Sequence, residues 1–118
     1  MNNIEFLKMI SEVSVDTDKV LKLISVYGKG IPETIERIVS CNETTIFLDK
    51  IRILSYDEIL DATTELHVDF VAKKLVPIAD CGDNDFVVYH LKDKVWSKYN
   101  IIEDCSFKRK EKFEDYLL

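Results

Sequence analysis

Apolar residues recur every three or four positions through the first forty residues, and residues that start or stop helices bound each recurrence. Ile4, Leu7 and Ile10 follow Asn3, whose side chain can cap a first turn, and predict a helix with one apolar stripe. Asp16, Thr17 and Asp18 precede Val20, Leu21, Leu23, Ile24 and Tyr27, and Gly28 stands where a helix C-terminal glycine belongs. Pro32 suits the first position of a third helix, where no backbone N–H is needed. Ile35, Ile38 and Val39 give that helix its apolar face, and it should end near Asn42.

The period then changes. Thr45 to Leu54 reads TIFLDKIRIL, β-branched and aromatic residues broken at Asp49-Lys50, and predicts two short strands or one bent strand. Ser55 and Glu58 form a capping box, each side chain meeting the other residue's exposed backbone N–H, and open a helix with Tyr56, Ile59 and Leu60 inward. Leu66 to Lys74 fits a strand through Leu66, Val68 and Phe70 and a helix through Leu66, Phe70 and Lys73, so periodicity leaves it unassigned. Leu75 to Ile78, Phe86 to Leu91 and Val95 to Ile102 read as strands, with Pro77 at a sheet edge or a bulge because it has no N–H to donate. Phe113, Tyr116 and Leu117 give a C-terminal helix its docking face.

The last hairpin assigns faces. A two-residue turn at Lys92-Asp93 pairs Leu91 with Lys94, Tyr89 with Trp96 and His90 with Val95. Val87, Tyr89, Leu91, Lys94, Trp96 and Lys98 then share one side. Phe86, Val88, His90, Val95, Ser97 and Tyr99 share the other, which carries less charge and is the side expected under helices.

At 118 residues the chain is read as a single α+β domain over 1–118, with 1–15 as an N-terminal helix extension, long enough to bury a core without staples. Sixteen Lys and Arg against 22 Asp and Glu give a net charge of -6, which disfavours neutralising phosphates and so argues against a direct nucleic-acid binder. Such a charge suits a basic protein partner, though solubility asks for the same thing. Cys41, Cys81 and Cys105 are odd in number and widely spaced, which reads as no disulfide framework and fits a reducing cytoplasm. MNNIEFLKMISEV has Glu5 within its apolar segment and no basic leader, and no apolar run reaches the length of a membrane span. Neither a signal peptide nor a membrane segment is expected.

The most distinctive stretch is KLVPIADCGDNDFVVY, Lys74 to Tyr89. Asp80, Asp83, Asn84 and Asp85 gather oxygens around Gly82, but the sixth position from Asp80 is Asp85 where a calcium loop needs Gly, and the twelfth is Leu91 where it needs Glu. The plain reading is a polar turn in which Asp and Asn bond their own backbone; a partner-binding loop is the functional one. Cys41, Cys81, Cys105, His67 and His90 lack the short spacings of zinc sites, and nothing marks a nucleophile turn or an oxyanion hole. YGKGIP lacks the context of a phosphate loop and reads as a connector, and KRKEK from Lys108 to Lys112 reads as a solvated helix face. Trp96 is either core or, between Lys94 and Lys98, a partner anchor.

In order and spacing, GIPETIERIVS, IRILSYDEIL and KLVPIADCGDNDFVVYHLKDKVWSKY resemble the SUKH superfamily, which includes fungal cell-wall-synthesis regulators and many bacterial immunity proteins. The second segment resembles that family's strand and following helix, and the third its P-I-A-x-x-G-x-x-x-F turn and last hairpin. Cys41, Asn42 and Glu43 depart from its usual Asn-Gly, and Ile31 from its Leu. The resemblance implies an α+β domain, a mostly antiparallel sheet with helices packed on one face, and a binding protein without catalysis or cofactor. The matching Pro77, Gly82 and Phe86 are architectural in that pattern, which leaves Asp80 and its acidic neighbours as contacts. The expected partner is a protein, foremost a cognate toxin domain such as a nuclease, met by Asp80, Asp83, Asn84 and Asp85 with Tyr56, Tyr89 or Trp96 supplying desolvated area. No nucleic acid or membrane is expected as a partner, and the chain should be a monomer or weak homodimer. A regulatory or scaffold protein of the same fold is the alternative, and a small metal enzyme using the Asp80 to Asp85 loop is the third reading.

Overall fold

A computed structural model describes residues 1–118. Three helices come first, α1 (Asn3–Glu12), α2 (Thr17–Tyr27) and α3 (Glu33–Val39), then strands β1 (Ile46–Phe47) and β2 (Arg52–Ile53). Helices α4 (Tyr56–Leu60), α5 (Ala62–Leu66) and α6 (Phe70–Lys73) follow, then strands β3 (Leu75–Gly82), β4 (Asp85–His90), β5 (Val95–Asn100) and β6 (Cys105–Lys110), and a closing 3-10 turn (Phe113–Tyr116). The six strands form one antiparallel sheet in chain order, so the α+β expectation holds.

The cap of α1 is Asn2, one residue earlier than expected. Its side chain accepts from the Glu5 N–H while the Glu5 carboxylate accepts from its own, a capping box that the sequence reading passed over. The stripe facing the core is Phe6 and Ile10, while Ile4 is left 73% exposed. Asp16 caps α2 and Gly28, at φ 102°, closes it, as expected. Pro32 is the N-cap of α3, one position before the first helical residue. Two short strands flank the break at Asp49-Lys50, and the Ser55–Glu58 capping box opens α4.

Residues 66–74 fit neither simple period because two left-handed residues cut them: His67 (φ 55°) ends α5 and Lys74 (φ 57°) ends α6, which Asp69 caps. Pro77 lies in β3 at a register shift, as the bulge reading expects, and because β2 pairs only with Ala79 and Asp80, Pro77 also has no strand partner on its other side. Between β3 and β4, Asp83 (φ 54°) and Asn84 (φ 66°) make a two-residue turn with both residues left-handed, the geometry that matches strand twist. The β4–β5 register is as expected, Tyr89 opposite Trp96 and His90 opposite Val95. Its loop, however, is wider than two residues: the Lys94 N–H donates to the His90 carbonyl at 2.8 Å and only Lys94 is left-handed (φ 58°). Lys92-Asp93 has no glycine to take a tighter turn.

β6 has no counterpart in the sequence reading, which put KRKEK on a helix face. Lys108, Arg109 and Lys110 lie instead on this outermost strand, and the expected C-terminal helix is a single 3-10 turn whose Phe113 and Leu117 still dock. The sheet is also covered on both sides rather than one. Helices α4 to α6 lie over Phe86, Val88 and Tyr99, with Phe70 edge-on to Tyr99 at 6.1 Å. On the other side, Leu7 and Ile10 of α1 and Phe113 close over Tyr89 and Trp96, with Phe113 and Trp96 rings 5.0 Å apart. One continuous core of 27 buried apolar residues results. No helix is long and apolar enough to cross a membrane.

A candidate acidic binding groove

Cross-strand pairing sets Phe47 of β1, Arg52 of β2, Asp80 of β3 and Phe86 of β4 in one row, and directly paired residues share a sheet face. Arg52 is the hub of that row. Its Nη1 donates to Glu58 Oε2 at 2.9 Å and Oε1 at 3.1 Å, and its Nη2 donates to Asp80 Oδ2 at 3.2 Å. Glu58 is held further by the Ser55 backbone N–H at 3.0 Å and the Thr45 hydroxyl at 2.7 Å. Asp80 Oδ1 accepts from the Gly82 N–H at 2.8 Å, the local backbone bond expected of an aspartate in a turn. One guanidinium therefore ties β2, β3 and α4 together.

Above this hub lies a groove of about 320 Å³, floored by Leu54, Leu66 and Phe86. Asp57 of α4, Asp61 at the junction of the two helices and Glu65 of α5 stand along its wall, spaced four residues apart and exposed to solvent. With Glu58 and Asp80, five carboxylates face one cation. Burial works against the charge on Glu58, but hydrogen bonds from Arg52, Ser55 and Thr45 outweigh it and hold the carboxyl down at about 2. Arg52 is likewise raised: burial opposes its charge, and its bonds to Glu58 and Asp80 prevail. Both groups stay ionised at neutral pH, which keeps the groove negative.

The expected contact residues divide sharply. Asp80 sits in the groove. Asp83 and Asn84 form the exposed tip of the β3–β4 hairpin, and Asp85 Oδ1 accepts from Asn100 Nδ2 at 2.9 Å, a bond that pins the hairpin. Tyr56, Tyr89 and Trp96 are corrected from surface anchors to core residues, 9%, 6% and 3% exposed. Helix α4 buries Tyr56 against α2, where its hydroxyl donates to the Lys19 carbonyl at 3.0 Å, and covering both sheet faces removes the other two. The sequence reading missed Arg52, Asp57, Asp61 and Glu65. The four-residue spacing of the three acids was the available signal; nothing marked Arg52.

No three His, Cys, Asp or Glu side chains converge as a metal would require. His90 Nε2 lies 2.7 Å from Ser97 Oγ, and burial lowers its proton affinity. Burial also pushes the Cys41 and Cys81 thiols up, away from the reactive thiolate. Compared with known protein families, curated proteins and solved structures, the chain has no match.

Proposed function

We propose that the chain is a non-catalytic binding protein, an immunity protein that neutralises a cognate toxin by stoichiometric association. The observation that carries the reading is the groove: five carboxylates around Arg52, two of them locked in place and three free at the wall. Fixed negative groups over an apolar floor suit a basic protein surface, because complementary fields speed encounter and reject partners of like charge. A nuclease domain, whose own surface must be basic to hold phosphates, has that chemistry. The toxin class itself rests on the resemblance of Ile51 to Leu60 and Lys74 to Tyr99 to the SUKH superfamily.

Co-expression with the product of the adjacent gene tests the reading. That product should arrest growth alone, spare cells that also make this chain, and co-purify with it at one to one. A product harmless alone, or one that kills despite the chain, overturns it.

A further inference from the structure

The row that holds Arg52 and Asp80 ends in an uncovered aromatic. Phe47 is the direct cross-strand neighbour of Arg52, yet it is 70% exposed, whereas Phe86 and Tyr99 farther along the same row lie beneath the helices. Its strand, β1, is the end of the sheet. Phe47 opens onto a hollow lined by Lys50, Arg52, Asp80, Cys81 and Gly82. Arg52 and Asp80 line the acidic groove as well, so hollow and groove form one surface. Beside the ring stand Lys50, Arg52 and one carboxylate, Asp80, and the other carboxylates follow along the groove. A large exposed ring at the end of an acidic groove is the composition of an interface, where an aromatic anchor supplies area and charges supply orientation.

We infer that Phe47 and the acidic groove together form the docking surface, and that its occupant is a protein segment with Lys or Arg side chains flanking an apolar residue. Charge complementarity fixes the occupant: a neutral or acidic segment would set its apolar residue on Phe47 only by leaving Asp57, Asp61 and Glu65, which pair with no cation of the chain, facing it without compensation. The inference deepens the binding function proposed above and rests on it for the occupant's being part of a protein. It also transfers the anchor role from Tyr56, Tyr89 and Trp96 to a residue the sequence reading did not select.

The test needs no knowledge of the natural partner. The end-capped hexapeptide Lys-Lys-Leu-Leu-Lys-Lys is titrated into the isotopically labelled protein and followed by amide shifts, with Glu-Glu-Leu-Leu-Glu-Glu as the control. Saturable shifts should cluster at β1, β2 and α4–α5 for the basic peptide alone, and Phe47→Ala should weaken it about tenfold without lowering the melting temperature. Equal response to both peptides, shifts centred on β6 or the Trp96 side, or unchanged affinity in Phe47→Ala overturns the surface. Failure of the co-expression experiment with the basic peptide still seated on β1 removes the toxin and leaves the surface. Protection that persists undiminished in Phe47→Ala removes the surface and leaves the toxin.

Discussion

Arg52 decides whether the groove keeps its form, because its guanidinium is the only cation among Glu58, Asp80 and the wall carboxylates. Arg52→Met keeps the aliphatic stem and removes the charge, leaving Glu58 and Asp80 to repel each other. The pair is 30% and 37% exposed, so the loss should lie nearer an exposed ion pair than a buried one, about 1–2 kcal/mol by urea unfolding at neutral pH. Acid supplies a second reading. The Glu58 pKa of about 2 lies below its ordinary 4.5, so its contribution is complete above that value and is lost as pH falls towards 2. Unfolding midpoints followed down through that window should fall for the native chain and fall less for Arg52→Met; parallel curves would show that Glu58 is not held down by Arg52. Of this cluster, the Ser55–Glu58 capping box was legible in the sequence because both partners lie three residues apart. Arg52 was not, since its carboxylates come from a helix and a strand that only the fold brings together.

Helix α1 is a built-in part of the domain, whatever its position at the start of the chain. Phe6 is fully buried, and Asn3 Nδ2 donates to the Leu117 carbonyl at 2.8 Å, joining the first helix to the last residues. Phe6→Ala should therefore cost about 3–5 kcal/mol, the range for deleting a buried aromatic, while Ile4→Ala on the exposed side should stay within about 0.5 kcal/mol. Urea midpoints of the two variants check this, and equal costs would show that the capped register is wrong. Elements with local signals were readable: the caps of α2 and α4, the strand pair around Asp49-Lys50, the β4–β5 register. β6 was unreadable because an outer strand written CSFKRK has one half-buried apolar residue, Phe107, and no alternation, and its left-handed Lys108 interrupts even the strand period. Residues 66–74 failed for a related reason, since His67 and Lys74 adopt backbone angles that side-chain periodicity does not report.

A net charge of -6 says nothing of where the charges sit, and the arrangement is uneven. Asp57, Asp61 and Glu65 line α4–α5, whereas Lys108, Arg109 and Lys110 occupy β6. The three acids are like charges four residues apart on consecutive helical turns, an arrangement that destabilises by a few tenths of a kcal/mol per pair. Neutralising them in D57N/D61N/E65Q should leave stability within about 0.5 kcal/mol, because relief of the repulsion is offset by the loss of Asp57 and Glu65 as first-turn acids of α4 and α5, and no fold-holding bond involves their side chains. The same triple variant should associate with a basic partner about tenfold more slowly at low salt, and its rate should depend less on ionic strength than the native chain's. Neutralising Lys108, Arg109 and Lys110 instead should not slow association. Stopped-flow rates and melting curves on both variants separate the two meanings of an acidic surface. If the groove acids serve only solubility, the triple variant loses nothing in association; if they steer a partner, the variant associates more slowly at low salt, and high salt slows the native chain to the same rate.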